Sequence, residues 1–236
     1  MKLGIMQPYF FPYIGYFSLI KYSDMFVFFD TPQYIHHGWI NRNRILKQDG
    51  EFKYIVVPIQ KRERQISIKD IIIDNGQNWR ESIYGGLSIY KKKAPYYDRV
   101  MFLVREILET PCVYLSELNI NGTVKVCEYL EIKTPFNIYS KMEIDVSEMV
   151  KEPDEWALYI TKELGYGTYV NPPGGDAFFE REKYEMWNIE LQFLKANIVP
   201  YIQKIGRFVP SLSIIDVMMF CGVEEIQSML DSYIIY

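Results

Sequence analysis

The sequence predicts an α/β fold: a mainly parallel, Rossmann-like wound sheet with a helical insertion around residues 79–133, all 236 residues forming one domain. Three observations carry that prediction. Apolar runs of strand length alternate with segments of helical period along the chain. The first two such runs, residues 2–6 and 25–29, are separated by a helix-length segment, which is the pattern of a βαβ unit. A long helical stretch, broken only at prolines, then separates them from the strands that follow.

Residues 2–6 read as a short buried strand, and over residues 13–22 Ile14, Phe17, Leu19 and Ile20 fit one helical face. Pro8 and Pro12 stiffen the loop between them. MFVFF, residues 25–29, is a second strand, ended by Asp30, Thr31 and Pro32. YIVVPI, residues 54–59, reads as a third, and QISIKDIIID as a fourth or an edge segment. From Trp79 to about Lys133 the pattern is helical, with breaks at Ala94–Pro95 and Thr110–Pro111, because a residue before proline disfavours the α region. Three helices result. FNIYS is again strand-like, EPDEWALYITKELG is a helix with acids in its first turn and Gly165 at its close, and TYV leads into the loop NPPGGD. Residues 189–194 form a further strand, and SIIDVMMFCGVEEIQSML has the apolar density of a helix packed on a sheet.

Composition narrows the function classes. Hydrophobic content of 49% and charged content of 24% are those of an ordinary globular chain, whereas 20 tyrosines and 16% aromatics are high. So many tyrosines leave room for an aromatic-rich homo-oligomer interface. A net charge of −4 argues against a general nucleic-acid binder. Cys112, Cys127 and Cys221 are odd in number and widely spaced, so neither a disulfide framework nor a thiolate zinc site is indicated. No signal peptide and no apolar run of spanning length is evident, and the expectation is a soluble, cytoplasmic protein without membrane insertion.

In an open parallel sheet, ligands sit outside the carboxyl ends of the strands. Four loops qualify, and the candidate binding residues come from them. The loop after the first strand offers Gln7, Pro8, Tyr9, Tyr13, Gly15 and Tyr16. DTPQYIHHGWINRNRIL, after the second, offers Gln33, His37, Trp39, Asn41, Arg42, Asn43 and Arg44. Arg forks bind phosphate or carboxylate bidentately, and the alternative is a solvated Arg-Asn turn over Trp39. In NPPGGD, Asn171, Gly174 and Gly175 would let backbone N–H groups approach an anion, or simply make a tight turn. In PSLSIID, Ser211 or Ser213 is an N-cap, and a phosphate at the helix start would use both. His36 and His37 are adjacent and are the only histidines, so no metal site is expected. No Walker loop, GxSxG or GxGxxG signature is present.

The combination MQPYFFPYIGYFSLI, VFFDTPQYIHHGWINRNRI, YVNPPGGDAFFE and FVPSLSIIDVMMF resembles the WbqC-like family of bacterial proteins over essentially the whole chain. His36 and His37 stand where that family usually carries Arg or Lys before the WINRNR stretch. The resemblance implies a place in O-antigen and other surface-polysaccharide (lipopolysaccharide) biosynthesis, as a glycyl or other acyl transferase acting on amino sugars. More faintly, PYIGYFSLI is similar to the HxGH-containing start of nucleotidylyltransferases and pantothenate synthetases, with Tyr13 and Tyr16 in place of histidines. That second likeness implies a nucleotide cradled over Gly15 at the start of the first helix.

Together these point first to a transferase that forms an amide on a nucleotide-linked amino sugar, taking the acyl or aminoacyl group from an activated donor such as an aminoacyl-tRNA. Arg42 and Arg44 would hold the diphosphate, Tyr9, Tyr13 and Trp39 would stack on base or sugar, and Asn41 or Asn43 would face the oxyanion. Asp30 is the first general-base candidate and Asp176 the second. The nearest alternative is an ATP-using ligase or nucleotidylyltransferase, which would add ATP and Mg²⁺ as cofactors. A noncatalytic nucleotide-sugar-binding or scaffold protein is the third.

Overall fold

Side chains alternate across a strand, so the short apolar runs near the N-terminus feed two cores at once. The computed structural model describes every residue except 64 and 205. In β1 (Lys2–Met6), Leu3 and Ile5 face one way and join a core with Val27, Leu158, Tyr169 and Phe193. On the other face, Phe26 and Phe28 of β2 (Met25–Phe28) pack with Phe17 and Ile20 of α1 (Ile14–Tyr22). β1 and β2 are parallel, with Leu3 opposite Met25 and Met6 opposite Phe28, as the βαβ reading requires.

A long excursion follows before the sheet resumes. It starts with an antiparallel ribbon of β3 (Arg42–Leu46) and β4 (Phe52–Val56), then passes a 3-10 turn at Ile68–Asp70. Three helices come next: α2 (Trp79–Leu87), α3 (Tyr97–Glu109) and α4 (Leu115–Tyr129). The sheet is completed by β5 (Phe136–Ile138), β6 (Thr168–Asn171) after α5 (Glu155–Glu163), and β7 (Glu190–Ala196) after α6 (Arg181–Glu185). The chain closes with α7 (Ile214–Phe220), α8 (Val223–Leu230) and β8 (Tyr233–Ile235).

Sheet order is β5-β2-β1-β6-β7-β8, with every pair parallel except β7 and β8. The fold is thus α/β with a mainly parallel, helix-flanked sheet of Rossmann-like form. Along the chain, β1, β2 and β5 step one way across the sheet, and β6 and β7 step the other way. The order therefore reverses between β1 and β6, and a crevice opens outside the carboxyl ends of those two strands. No helix among the described residues is long and apolar enough to cross a membrane.

Several local expectations change. The strand expected over residues 54–59 is β4, which pairs with β3 in the ribbon and not with the main sheet. β3 itself occupies RNRIL, where charge suggested a turn; Asn43 and Ile45 point inward while Arg42 and Arg44 stay half-buried. QISIKDIIID makes isolated bridges, Gln33 with Ser67 and Ile59 with Ile73, around its 3-10 turn, rather than a strand. The last helical run is two helices, because Cys221 turns extended and Gly222 caps α8. β8 adds an antiparallel edge that the pattern did not announce.

The seam between α7, the ribbon and the helical insertion holds a buried carboxylate. Asp216 is fully buried, and it accepts hydrogen bonds from Tyr90 Oη and Tyr201 Oη, both at 2.5 Å, and from Gln203 Nε2 at 2.9 Å. Tyr90 Oη in turn accepts from the Leu46 N–H at 3.0 Å. Burial raises the Asp216 carboxyl to about 6 against the pull of its three donors. A raised carboxyl favours the folded state below its unfolded value, near 4, and that contribution is lost as pH rises through about 6. Relative to Asp216→Asn, wild-type unfolding free energy should fall by up to about 3 kcal/mol between pH 4 and 6.5 in urea titrations. A pH-independent difference would contradict a buried, proton-binding Asp216.

Candidate functional site

The loop at residues 7–12, which leaves β1 and enters α1, is rich in proline and aromatic rings and has few backbone donors of its own. Five of its carbonyls nonetheless find donors. Tyr16 Oη donates to Gln7 O at 2.9 Å, and Asn119 Nδ2 donates to Pro8 O at 2.9 Å and to Ile40 O at 2.7 Å. Asn43 Nδ2 donates to Phe10 O at 3.0 Å and Phe11 O at 2.8 Å. Ser213 Oγ also donates to Phe11 O, and the Ile214 N–H donates to Pro12 O at 2.9 Å. The Phe10 N–H, for its part, donates to Trp39 O at 3.0 Å. These contacts hold Phe11 at φ 40°, a left-handed conformation that a bulky residue adopts only under constraint.

Around this fixed loop lies a crevice of two open lobes, of about 1060 and 830 Å³. Both are of a size suited to a small-molecule ligand. The lobes share a floor of Met6, Gln7, Tyr9 and Asn171 and walls from Ile35, Phe178 and Phe179. The first lobe runs toward Tyr34, His36, Arg62 and Trp156. The second runs toward Tyr13, Trp39, Arg44, Gly174 and Ser211. No Asp or Glu lines either lobe among the described residues, although the chain carries 30 of them. Crevice cations therefore go unopposed at close range.

In the second lobe, Arg44 donates through one Nη to Ser211 O at 2.9 Å and stacks over the Trp39 and Phe52 rings at 5.3 and 5.0 Å. Its Nε is buried without a partner. Arg62, in the first lobe, lies 4.3 Å from the Tyr34 ring and donates to the adjacent Glu63 O. Neither guanidinium forms an ion pair among the described residues. Burial raises the Tyr9, Tyr13 and Tyr16 phenols above their ordinary value, Tyr16 furthest, so at neutral pH each remains a protonated hydrogen-bonding group.

Of the residues expected from sequence, Gln7, Tyr9, Tyr13, Tyr16, Gln33 and Trp39 line the crevice, as do Asn43, Arg44, Asn171, Gly174, Gly175 and Ser211. Others sit elsewhere. Asp30 is buried, its two oxygens accepting from Ser140 N–H at 3.1 Å and Ser140 Oγ at 2.6 Å, so it fastens the end of β2 to the end of β5 and does not reach the crevice. Asp176 is exposed and outside both lobes. Pro8 is buried beneath the loop. Arg42 turns away to His37, reaching its Nδ1 at 3.3 Å and its carbonyl, and stacks 4.5 Å from Tyr54. His37 is thereby a partner of Arg42, and the neighbouring His36, then desolvation, lower its pKa. Asn41 is occupied by Tyr34 Oη and Val57 O.

The helix-start readings also change. The Tyr13 ring lies over Gly15, where a Cβ would come within 2.5 Å of ring carbon, so the glycine makes room for a phenol and not for a phosphate. Ser213 is fully buried, caps α7 by accepting from the Ile215 N–H at 3.3 Å, and is spent on Phe11. In NPPGGD, the Gly175 and Asp176 N–H groups return to Pro172 O and Pro173 O, which makes a 3-10 turn in place of an anion nest. Gly175 packs so closely on Asn171 Nδ2 and the Phe179 ring that a Cβ would overlap both.

Comparison with known proteins settles the family. A profile of the WbqC-like protein family matches residues 7–228. The chain belongs to that family. It is also 27% identical over 226 residues to a protein of Mycobacterium tuberculosis (strain ATCC 25618 / H37Rv), "Uncharacterized protein Rv1507c", spanning 94% of this chain and 95% of the relative. No solved structure matches the chain.

Sequence reasoning missed Phe178 and Phe179, which wall both lobes, and Arg62, His36 and Trp156 in the first. AFFE directly after GGD was a usable signal, since it follows the carboxyl end of a strand, where a ligand would sit. Trp156 and Arg62 gave none, because they reach the crevice only through tertiary packing. Asn119 was hidden inside an ordinary helical pattern. Asn119→Ala should destabilise the fold by about 2–4 kcal/mol in urea unfolding, from two buried carbonyls left without donors, partly offset by loss of its own unpaired Oδ1. A cost below about 1 kcal/mol would show that the clamp is not needed.

Proposed function

We propose that this WbqC-like chain is a transferase of bacterial surface-polysaccharide (O-antigen, lipopolysaccharide) biosynthesis that forms an amide by acyl or aminoacyl transfer to a nucleotide-linked amino sugar. The reading is supported above all by a crevice at the sheet's switch point that has aromatic walls, an unopposed Arg44 and no carboxylate. A nucleotide diphosphate needs such a place: rings for the base and a cation for the phosphates. The Gln7 side-chain amide would orient the sugar, whereas the Asn171 amide is engaged by Tyr169 Oη and Pro172 O, both at 2.8 Å. Reaction would take place in the cytoplasm, where nucleotide-linked sugars are made.

Donor activation favours the transferase over the ATP-using ligase. Asp30, the first carboxylate expected at the site, is committed to Ser140, and the side chains lining the crevice among the described residues offer only amide, hydroxyl and phenol oxygens. The residues present therefore fit an acyl group that arrives already activated, as a thioester or an ester.

Titration with UDP- and dTDP-linked amino sugars should raise the melting temperature of the wild type, and Arg44→Ala should weaken that binding about tenfold or more. Mass spectrometry after adding an acyl-donor panel should find the N-acylated nucleotide sugar. Binding that is equal in wild type and Arg44→Ala, or a nucleotide sugar that never gains an acyl group with any donor, would sink the reading.

A further inference from the structure

The crevice has two guanidiniums, one in each lobe, and each stacks on an aromatic ring: Arg44 on Trp39 and Arg62 on Tyr34. Each belongs to a different part of the chain, Arg44 to β3 and Arg62 to the segment after β4. Neither pairs with a carboxylate among the described residues, and none lines the space between them. A single anion-binding site would have no use for a second uncompensated cation across the shared floor. Two unopposed cations facing one crevice give it a field that draws in anions.

The shared floor between the lobes is chemically inert. Met6, Gln7, Tyr9, Ile35, Asn171, Phe178 and Phe179 include no serine, cysteine, lysine or carboxylate. The one oxygen nucleophile there, the Tyr9 phenol, is held protonated by burial. Cys127 and Cys221 are buried and Cys112 is half-buried, and none of the three lines either lobe. Nothing at the junction could carry an acyl group from one substrate to the other.

We propose that the crevice binds two anionic substrates at once, a nucleotide diphosphate moiety at Arg44 and the phosphate- or carboxylate-bearing carrier of the acyl group at Arg62, and that the acyl group passes directly between them over Gln7 and Asn171. The transfer step rests on the reading above; the two-anion site does not. In that step the acceptor amine attacks the acyl carbon. The C–N bond forms, the C–S or C–O bond to the carrier breaks, the carrier leaves with the electron pair, and the proton lost by the amine ends on it. Trp156, Phe29 and Tyr34 give the first lobe apolar wall for the carrier's non-ionic portion. Both substrates must be present together, so kinetics are sequential and no acyl-enzyme accumulates.

Inorganic pyrophosphate is a sufficient probe for the two-anion claim. Calorimetric titration of the wild type should show two sites. Arg62→Ala, on an exposed segment, should remove one by weakening it about tenfold or more, and Arg44→Ala should remove the other. Should Arg44→Ala fail to fold because its bond to Ser211 O is lost, Arg44→Lys keeps the charge and should weaken only that site. One site in the wild type, no binding, or an Arg62→Ala titration identical to wild type would overturn the proposal. Intact-mass measurement after exposure to acyl-coenzyme A alone should show no mass gain; an acyl adduct that nucleotide sugar then discharges would overturn direct transfer. Two pyrophosphate sites in a protein that acylates no nucleotide sugar would leave the two-anion site standing and remove only the transferase reading.

Discussion

Everything at the site depends on how six residues of awkward backbone are held. Residues 7–12 contain two prolines, which cannot donate hydrogen bonds, and three aromatic residues that make the loop bulky. Left to itself such a segment would present unsatisfied carbonyls to a half-buried environment. The fold answers with donors from the adjoining helix and three distant elements: Tyr16 in α1, Asn43 in β3, Asn119 in α4 and the start of α7. That explains why the helical insertion and the ribbon exist in their observed positions. They do not merely cover the sheet; they supply the amides that fix its first loop, and with it one side of the crevice.

Charge follows from the same arrangement. Asn43 and Arg44 are neighbours in β3, so the strand that clamps the loop also delivers the guanidinium to the second lobe. A carboxylate beside that Arg would neutralise it, and the chain keeps its carboxylates elsewhere: Asp30 under Ser140, Asp154 and Glu155 on Lys183, Asp216 inside a tyrosine cluster. An acidic protein thus presents a cationic, aromatic crevice, which is the electrostatic form suited to an anionic ligand even when the overall charge is unfavourable.

Much of this was legible in the sequence, and the failures have physical reasons. The parallel sheet followed from apolar runs at residues 2–6 and 25–29 with a helix-length segment between them, and the insertion followed from a helical pattern broken at prolines 95 and 111. Twelve expected site residues line the crevice because the carboxyl-end rule depends on topology alone. Asp30 misled because a carboxylate at a strand end looks the same whether it faces solvent or a serine just past the neighbouring strand. Gly15 misled because a glycine before a helix turn admits a ring as readily as a phosphate. RNRIL hid a strand because its buried partners, Asn43 and Ile45, alternate with cations that sequence alone reads as loop. Arg62 and Trp156 were invisible, since no local pattern says which of several exposed or helical side chains will border a cavity made elsewhere.

The most direct test of the account is a crystal structure of the protein with a nucleotide-linked amino sugar. The diphosphate should lie in the second lobe within hydrogen-bonding distance of the Arg44 guanidinium, between the Trp39 ring and Gly174, with the amino group directed over Gln7 and Asn171 toward the first lobe. Density for the ligand outside the crevice, or a diphosphate placed at Arg42 and His37 instead, would contradict it.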